Sequence, residues 1–338
     1  MVDAVEVEEL SATYEGLAAL EREFEDAETE TIRQQYVLSK PLYEKRAKLV
    51  AKIPNFWPLV VEQAPPDVDQ YIQPSDSALL LSSLQSISVS QFEIENGGKG
   101  SPRSIAIRLE FAENEYFEDK VLEKKFWYRR SRTGFAGLVS EPVPIKWKAG
   151  KDLTQGLLDL TVKVWEQDKK QSQANDASKA KKATKQKDWT DDQKALRKKI
   201  ETLGLGGVSF FCWFGYRGAD ISAEESAAAV EEDKKRRAEG KPLQPDDEED
   251  EEEDEDEDEE DEDEDPFALE IFPDGDELAI AFNDDLWPYA IKYFTQAQEM
   301  DAVSDFDFED DDEEMEGEEE SENEDDGEEA PPLKKRKA

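Results

Sequence analysis

The sequence of 338 residues contains no histidine and a single cysteine. Without imidazole, histidine metal sites, pH switches and the Ser-His-Asp or Cys-His nucleophile systems are excluded. One cysteine excludes an intrachain disulfide and a thiolate zinc cluster. Cys212 lies within Phe210-Phe211-Cys212-Trp213-Phe214 and reads as core filler rather than a reactive thiol. No apolar run approaches the roughly 18 residues of a membrane span, and the acidic N-terminus has no apolar stretch of the secretory type. The expectation is a soluble intracellular protein.

Positive charge is scarce too: 42 Lys and Arg stand against 87 Asp and Glu, a formal net charge of −45. An excess of that size cannot be packed into an interior, where unpaired charge is strongly disfavoured, so it belongs to surface or solvated tracts. Residues 246–265 are acidic at all 20 positions, and 18 further acidic residues lie between Asp305 and Glu329. Such runs repel themselves and have almost nothing apolar to bury, so they read as disordered. Elsewhere 49 acidic residues face the 42 basic ones, and the chain's 7 Trp, 9 Tyr and 16 Phe suffice for one real core. One domain with acidic appendages is expected.

From Glu8 to Lys52 the chain is rich in helix formers, with Leu10, Leu17, Leu20, Phe24 and Ala27 on one helical face. The stripe continues through Ile32, Tyr36, Leu38, Leu42, Leu49 and Ile53 in a slipped phase, and Pro41 is expected to kink or reset the helix. About 40 residues make a rod of roughly 60 Å, longer than one small domain covers. Its stripe therefore calls for a second, identical helix, with Leu10, Leu17, Leu20, Phe24, Ile32, Leu38, Leu42 and Leu49 as dimerisation residues. Pro54 and Pro58 bracket Phe56-Trp57 and end the rod.

Ala78 to Leu84 reads as a short helix or strand, and Ile87–Glu95, Ile105–Phe111 and Lys125–Tyr128 read as strands of an antiparallel sheet with one covered face. Lys151–Glu166, Asp191–Leu203 and Asp285–Thr295 are helical candidates for the cover, with residues 167–187 a mobile basic linker. Ala223–Glu239 is expected to be an exposed charged helix. Phe267–Phe272 and Leu278–Phe282 read as a hairpin around Pro273-Asp274-Gly275-Asp276. Nothing organises the carboxylates into a calcium loop, and the glycines of 204–207 lack the Lys-Ser/Thr of a phosphate loop.

Five segments occur in order: Ile53-Pro54-Asn55-Phe56-Trp57, Asn114-Glu115-Tyr116-Phe117-Glu118-Asp119, Ile145-Lys146-Trp147-Lys148, Ser209-Phe210-Phe211-Cys212-Trp213-Phe214 and Asp284-Asp285-Leu286-Trp287-Pro288. Together they resemble the nucleosome assembly protein family of histone chaperones, nearest its SET-like branch, over about residues 10–300. The stretch from Glu270 to Glu299 looks like fungal members, some of which assist a histone H3 acetyltransferase. The resemblance implies an α+β fold: a long N-terminal dimerisation helix, paired antiparallel in a homodimer, then an antiparallel sheet covered by helices, the earmuff domain, with disordered acidic tracts. It implies a flexible 1–9, a dimerisation helix over 10–55, an earmuff over 56–300 and an acidic tail over 301–338. In this reading Phe210–Phe214 is a strand. The charged insertion 218–266 departs from the SET-like pattern.

Core histones are the implied partners, since a polyanion can occupy their Lys/Arg surface reversibly, much as DNA does. The candidate histone-binding residues are Glu113, Glu115, Glu118, Asp119, Asp284 and Asp285, with Phe306 and Phe308 as aromatic anchors inside the acidic tail. Tyr116, Phe117, Trp213 and Trp287 are assigned to the core. Lys334, Lys335, Arg336 and Lys337 fit a nuclear-import signal read by an import receptor, so the expected location is the nucleus with shuttling to the cytoplasm; Lys234–Arg237 is a second candidate. No cofactor, membrane contact or sequence-specific DNA binding is expected. The alternative is a regulatory scaffold or cofactor for a histone acetyltransferase or phosphatase. Catalysis is disfavoured, because carboxylates in runs cannot fix a geometry.

Overall fold

In a computed structural model the described residues are 4–132, 134–176, 189–239 and 268–300. Contact density divides the chain into residues 1–294 and 295–338; of the second unit the described residues, 295–300, are helical.

Helix α1, Ala4–Val50, is continuous for 47 residues, about 70 Å at its rise per residue. Pro41, expected to kink or reset it, lies inside the unbroken run. Pro41 and Val37, whose carbonyl loses its helical donor there, are both exposed, so water can take the donor's place. The helix unwinds through Ile53, whose N–H reaches Val50 O at 2.9 Å. Asn55 then takes φ 55°, a left-handed conformation asparagine tolerates, and turns the chain into α2 (Phe56–Glu62). Short α3 (Pro66–Asp69) and α4 (Pro74–Ser83) follow.

Four strands, β1 (Leu84–Ser90), β2 (Ile105–Phe111), β3 (Val121–Arg130) and β4 (Ala136–Ser140), form one antiparallel sheet in chain order. Ile87 pairs with Leu109, Leu109 with Leu122, and Ile105 with Phe126, so alternation puts these side chains on one buried face. The opposite face is charged, with Arg108–Glu110 at 2.6 Å and Lys125–Glu123 at 3.6 Å. Helices α5 (Leu157–Asp176), α6 (Asp191–Leu203), α7 (Ala223–Glu239) and α8 (Gly275–Ala281) complete the domain, followed by a π-helical turn, Phe282–Leu286, and helix α9 over 290–300.

Several expectations need correcting. Phe210–Gly215 is a 3-10 turn with all six residues buried, not a strand. Its rings point in several directions: Phe211 meets Phe117 at 5.8 Å while Trp213 stacks between Phe126 (5.3 Å) and Phe282 (5.5 Å). A strand would present them to only two sides. The hairpin expected over 267–282 is absent among the described residues: residues 268–269 make a turn and 275–286 are helical. Leu278, Phe282, Leu286 and Ala290 recur every four residues and are all buried, and Asp276 and Glu277 occupy the first turn, where carboxylates favour a helix. Gly275 is required there, because a Cβ would meet the Tyr216 ring.

The supposed basic linker is helical as far as Asp176, held by Gln167 to Asp192 (2.6 Å) and Asp168 to Arg217 (3.3 Å); residues 177–188 lie outside the described set. Ala78–Leu84 belongs to helix α4, not a strand, apart from Leu84, which begins β1. β1 also stops at Ser90, short of Glu95. β4 was not anticipated.

Candidate functional site

Helix α1 has two faces of opposite character. The row facing its own domain is largely polar: Glu25 bonds Arg130 (2.8 Å), Glu28 bonds Arg103 (2.7 Å), Arg33 reaches Gly100 O (3.0 Å), and Tyr36 and Lys40 converge on Glu95 (2.8 and 2.9 Å). The Lys40 and Tyr36 hydrogen bonds hold the Glu95 carboxyl below its ordinary value. The row facing away is apolar, with Leu17, Leu20, Phe24, Leu38, Leu42 and Leu49 exposed from 46% at Leu20 to 73% at Leu38. Ile32 is placed on the inward row, half-buried in a cleft of about 640 Å³ with Tyr36, Tyr43, Leu138, Ile280 and Trp287. The slipped phase of the stripe is therefore two rows, not one interrupted row. Leu10 is within the helix, but its side chain lies outside the described set.

Arg46 joins α1 to the π-helical turn. Its Nη1 donates to Trp287 O (2.6 Å) and Pro288 O (3.3 Å), and its guanidinium lies 4.1 Å from the Trp287 ring and 4.7 Å from Tyr43. Nε and Nη2 have no hydrogen-bond partner; the ring faces take the place of acceptors. Burial lowers the Arg46 pKa to about 10. This joint fixes the segment carrying Asp284, which is exposed, and Asp285, which accepts from Tyr293 at 2.7 Å.

Around that segment the fold gathers carboxylates the sequence reading did not assign. α3 packs on α8, bringing Asp67 and Asp69 to the side of Asp274, Asp276 and Glu277. Tyr71, its ring 5.2 Å from Phe272, has its pKa raised to about 12, first by burial and then by Asp274, Glu277 and Asp67. Among the described residues none of these seven acidic groups, Asp284 and Asp285 included, forms an ion pair. A sequence signal existed: no Lys or Arg occurs between Lys52 and Lys99, or between Lys241 and Lys292. Its meaning depends on the two basic-free stretches meeting.

The other expected acidic group sits on the β2–β3 connection and is neutralised in part, at Glu115 and Asp119. Glu115 pairs with Lys151 at 3.3 Å. Asp119 accepts from Lys146 N at 2.7 Å and so shapes the loop. Glu113 and Glu118 are exposed. Phe117, Trp213 and Trp287 are buried and Tyr116 is half-buried, as assigned. Phe306, Phe308, Lys334, Lys335, Arg336, Lys337 and the run 246–265 lie outside the described residues.

Buried ionisable groups hold the domain rather than a reaction centre. Lys124, on the covered face of β3, donates to the carbonyls of Glu141 (3.0 Å), Phe214 (3.1 Å) and Tyr216 (3.0 Å), and burial lowers its pKa to about 7. Glu270 accepts backbone N–H groups from Arg217 (2.9 Å), Gly218 (3.2 Å) and Phe272 (3.3 Å), closing the base of the insertion. Burial pushes the Cys212 thiol up to about 12. Among the described residues no group of three or more potential ligands is arranged to hold a metal ion.

A long helix with an outward apolar row, a one-sided antiparallel sheet and, among the described residues, an acidic face without ion pairs define an α+β scaffold. The nucleosome assembly protein (NAP) family pattern matches residues 49–297, and the chain belongs to that family. It is 36% identical over 155 residues to a putative nucleosome assembly protein of Schizosaccharomyces pombe, covering 43% of this chain and 61% of that one. Against protein SET of Drosophila melanogaster it is 37% identical over 139 residues, 38% of this chain and 45% of that one. The matches thus span roughly half to three-fifths of those two relatives. Vacuolar protein sorting-associated protein 75 of Saccharomyces cerevisiae is 24% identical over 301 residues, 88% of this chain and 83% of the other. Among solved structures, a Ccp1 mutant aligns over 87% of this chain and 99% of its own with 26% identity and a TM-score of 0.49.

Proposed function

We propose that this protein is a non-enzymatic histone chaperone, a homodimer that shields core histones from non-specific DNA contacts and supports nucleosome assembly. The observation that carries the reading is the acidic face of α3, α8 and the π-helical turn, whose carboxylates have no counter-ions within the described fold. A surface left unneutralised is one whose counter-charge comes from a partner, and histones supply Lys/Arg density on that scale. The tracts 246–265 and 305–329 add reach and speed of capture. Family membership and relatives whose names refer to nucleosome assembly support the same reading. Lys334–Lys337 would direct the protein to the nucleus.

The dimer would form through α1 in antiparallel register. Residues 4–30 hold ten acidic side chains and one arginine, whereas residues 31–50 hold five basic and one acidic. Two parallel copies would set like charge against like; antiparallel copies set the acidic part of one helix along the basic part of the other, with the exposed Glu21 about one turn from the exposed Lys45. A dyad near Thr31 also places Phe24 opposite Leu38 and Leu20 opposite Leu42.

The test is titration of purified core-histone pairs, followed by light scattering, across salt. The expected result is a dimer whose histone affinity falls steeply with salt and falls further in an Asp274→Asn, Glu277→Gln, Asp284→Asn variant. Histone affinity that is absent, or indifferent to both salt and these substitutions, would overturn the reading.

A further inference from the structure

The charged insertion after Tyr216 begins with a helix that has no role in the acidic face, yet α7 is not the free charged helix its composition suggests. Ser226 and Ala229 are buried, and Ser226 Oγ accepts from Arg130 N at 3.0 Å where β3 ends. We propose that α7 is a detachable brace, holding the N-terminal half of α1 against the end of β3 through an ionic joint centred on Arg130.

Three elements meet at the joint. Arg130 of β3 bonds Glu25 of α1 at 2.8 Å and approaches Asp233 of α7 at 4.0 Å. Arg22 of α1 contacts Glu25 at 2.9 Å and Asp233 at 3.9 Å, and Arg237 of α7 reaches Asp26 of α1 at 3.0 Å. The side chains of Arg130 and Asp233 are only 13% and 16% exposed, which shelters their contact from the screening that weakens surface pairs, whereas Glu25 at 38% and Asp26 at 64% leave the contacts with α1 open to salt.

What α7 buries is small, a serine and an alanine, so little apolar area adds to the charge contacts. Arg130 Nη1 and Arg237 Nε are also buried without a hydrogen-bond partner, which keeps the closed joint from being deeply stable. A joint of this kind can open while the core stays packed.

The remainder of α1 is held elsewhere. Glu28, Arg33, Tyr36 and Lys40 grip the β1–β2 connection, and Arg46 grips Trp287. Opening the α7 joint therefore frees the part of α1 bearing Leu17, Leu20 and Phe24 without detaching residues 36–50. The insertion becomes a control on how firmly one half of the outward apolar row is presented, a role that stands whether or not histones are the partner.

Hydrogen exchange with peptide-level mass spectrometry on the full chain tests this, comparing the parent with Arg130→Gln and Asp233→Asn. Each is measured alone and with Leu38→Glu/Leu42→Glu, so that protection lent by a second copy is removed. The expected result is exchange at least about tenfold faster over residues 14–27, with residues 36–50 and the sheet unchanged. Asp233→Asn, which leaves β3 intact, guards against an Arg130 variant that folds poorly. Unaltered exchange over 14–27 in the Asp233 variant on the Leu38→Glu/Leu42→Glu background, or equal acceleration over 36–50, would overturn the proposal.

Discussion

Replacing Lys124 by methionine tests whether a lysine buried beneath the sheet organises the core or merely survives there. The substitution keeps length and apolar bulk but removes every donor. Phe214 O keeps a second partner, Val143 N at 2.8 Å, and Glu141 O keeps Ser140 Oγ at 3.4 Å, whereas Tyr216 O loses its donor. At about 1–3 kcal/mol for the orphaned carbonyl, the deficit is on the order of 2 kcal/mol, roughly 5 °C in Tm.

The pH dependence is the sharper part of that test. Burial lowers Lys124 from 10.5 to about 7, so within that window the unfolded chain carries a proton that the folded chain has released. Stability of the parent must then rise with pH from about 7, with a slope approaching ~1.4 kcal/mol per unit, a contribution the methionine variant lacks. Urea unfolding of both proteins at pH 6, 7, 8 and 9 cancels every other titrating group in the difference. A deficit that widens upward from pH 7 is expected. A methionine variant as stable as the parent at pH 9, or sharing its slope, would refute the role given to the three carbonyls.

Other expectations follow from the same structure. Thr31→Cys should give a disulfide-linked dimer on mild oxidation, since the native Cys212 is buried, while Leu49→Cys should not; equal crosslinking at both would reject the dyad near Thr31. Leu38→Glu with Leu42→Glu should yield a monomer with an intact circular dichroism spectrum, read by light scattering. Arg46→Ala should cost about 2–4 kcal/mol in denaturant unfolding through lost carbonyl and ring contacts, and lysine should restore little of it. Glu95 and Glu25 are both held below 4.5; burial opposes this at Glu25, and the Arg130 and Arg22 contacts prevail. Their contribution is present above the ordinary carboxylate value and is lost as pH falls through the depressed ones, so acidification should lower the protection of α1, relative to that of the sheet, from its level at neutral pH. Cys212 should react with thiol reagents only at the rate of unfolding.

Where a residue's fate depends on its near neighbours in the chain, composition and period were enough. They excluded imidazole and disulfide chemistry, located α1, β2 and the acidic tracts, and placed α6 and α7 at their observed bounds, because helical and strand repeats and capping residues act over a few positions. Phe210–Gly215 defeated that logic: a run that is apolar at nearly every position has no period, and only the surrounding Phe117, Phe126 and Phe282 decide its path. Leu278–Phe282 suits a strand or a helix, and burial of Leu278, Phe282 and Leu286 together selects the helix.

Three further matters belonged to tertiary structure alone. Ile32 turned inward because the domain occupies that side of α1, which no property of the helix in isolation reveals. Lys124 could enter the core because three carbonyls from distant segments converge on it. The acidic face exists because α3 and α8, some two hundred residues apart in the chain, pack side by side. Charge and period are local quantities, whereas the sharing of a surface or a hydrogen bond by distant segments is settled when the core closes.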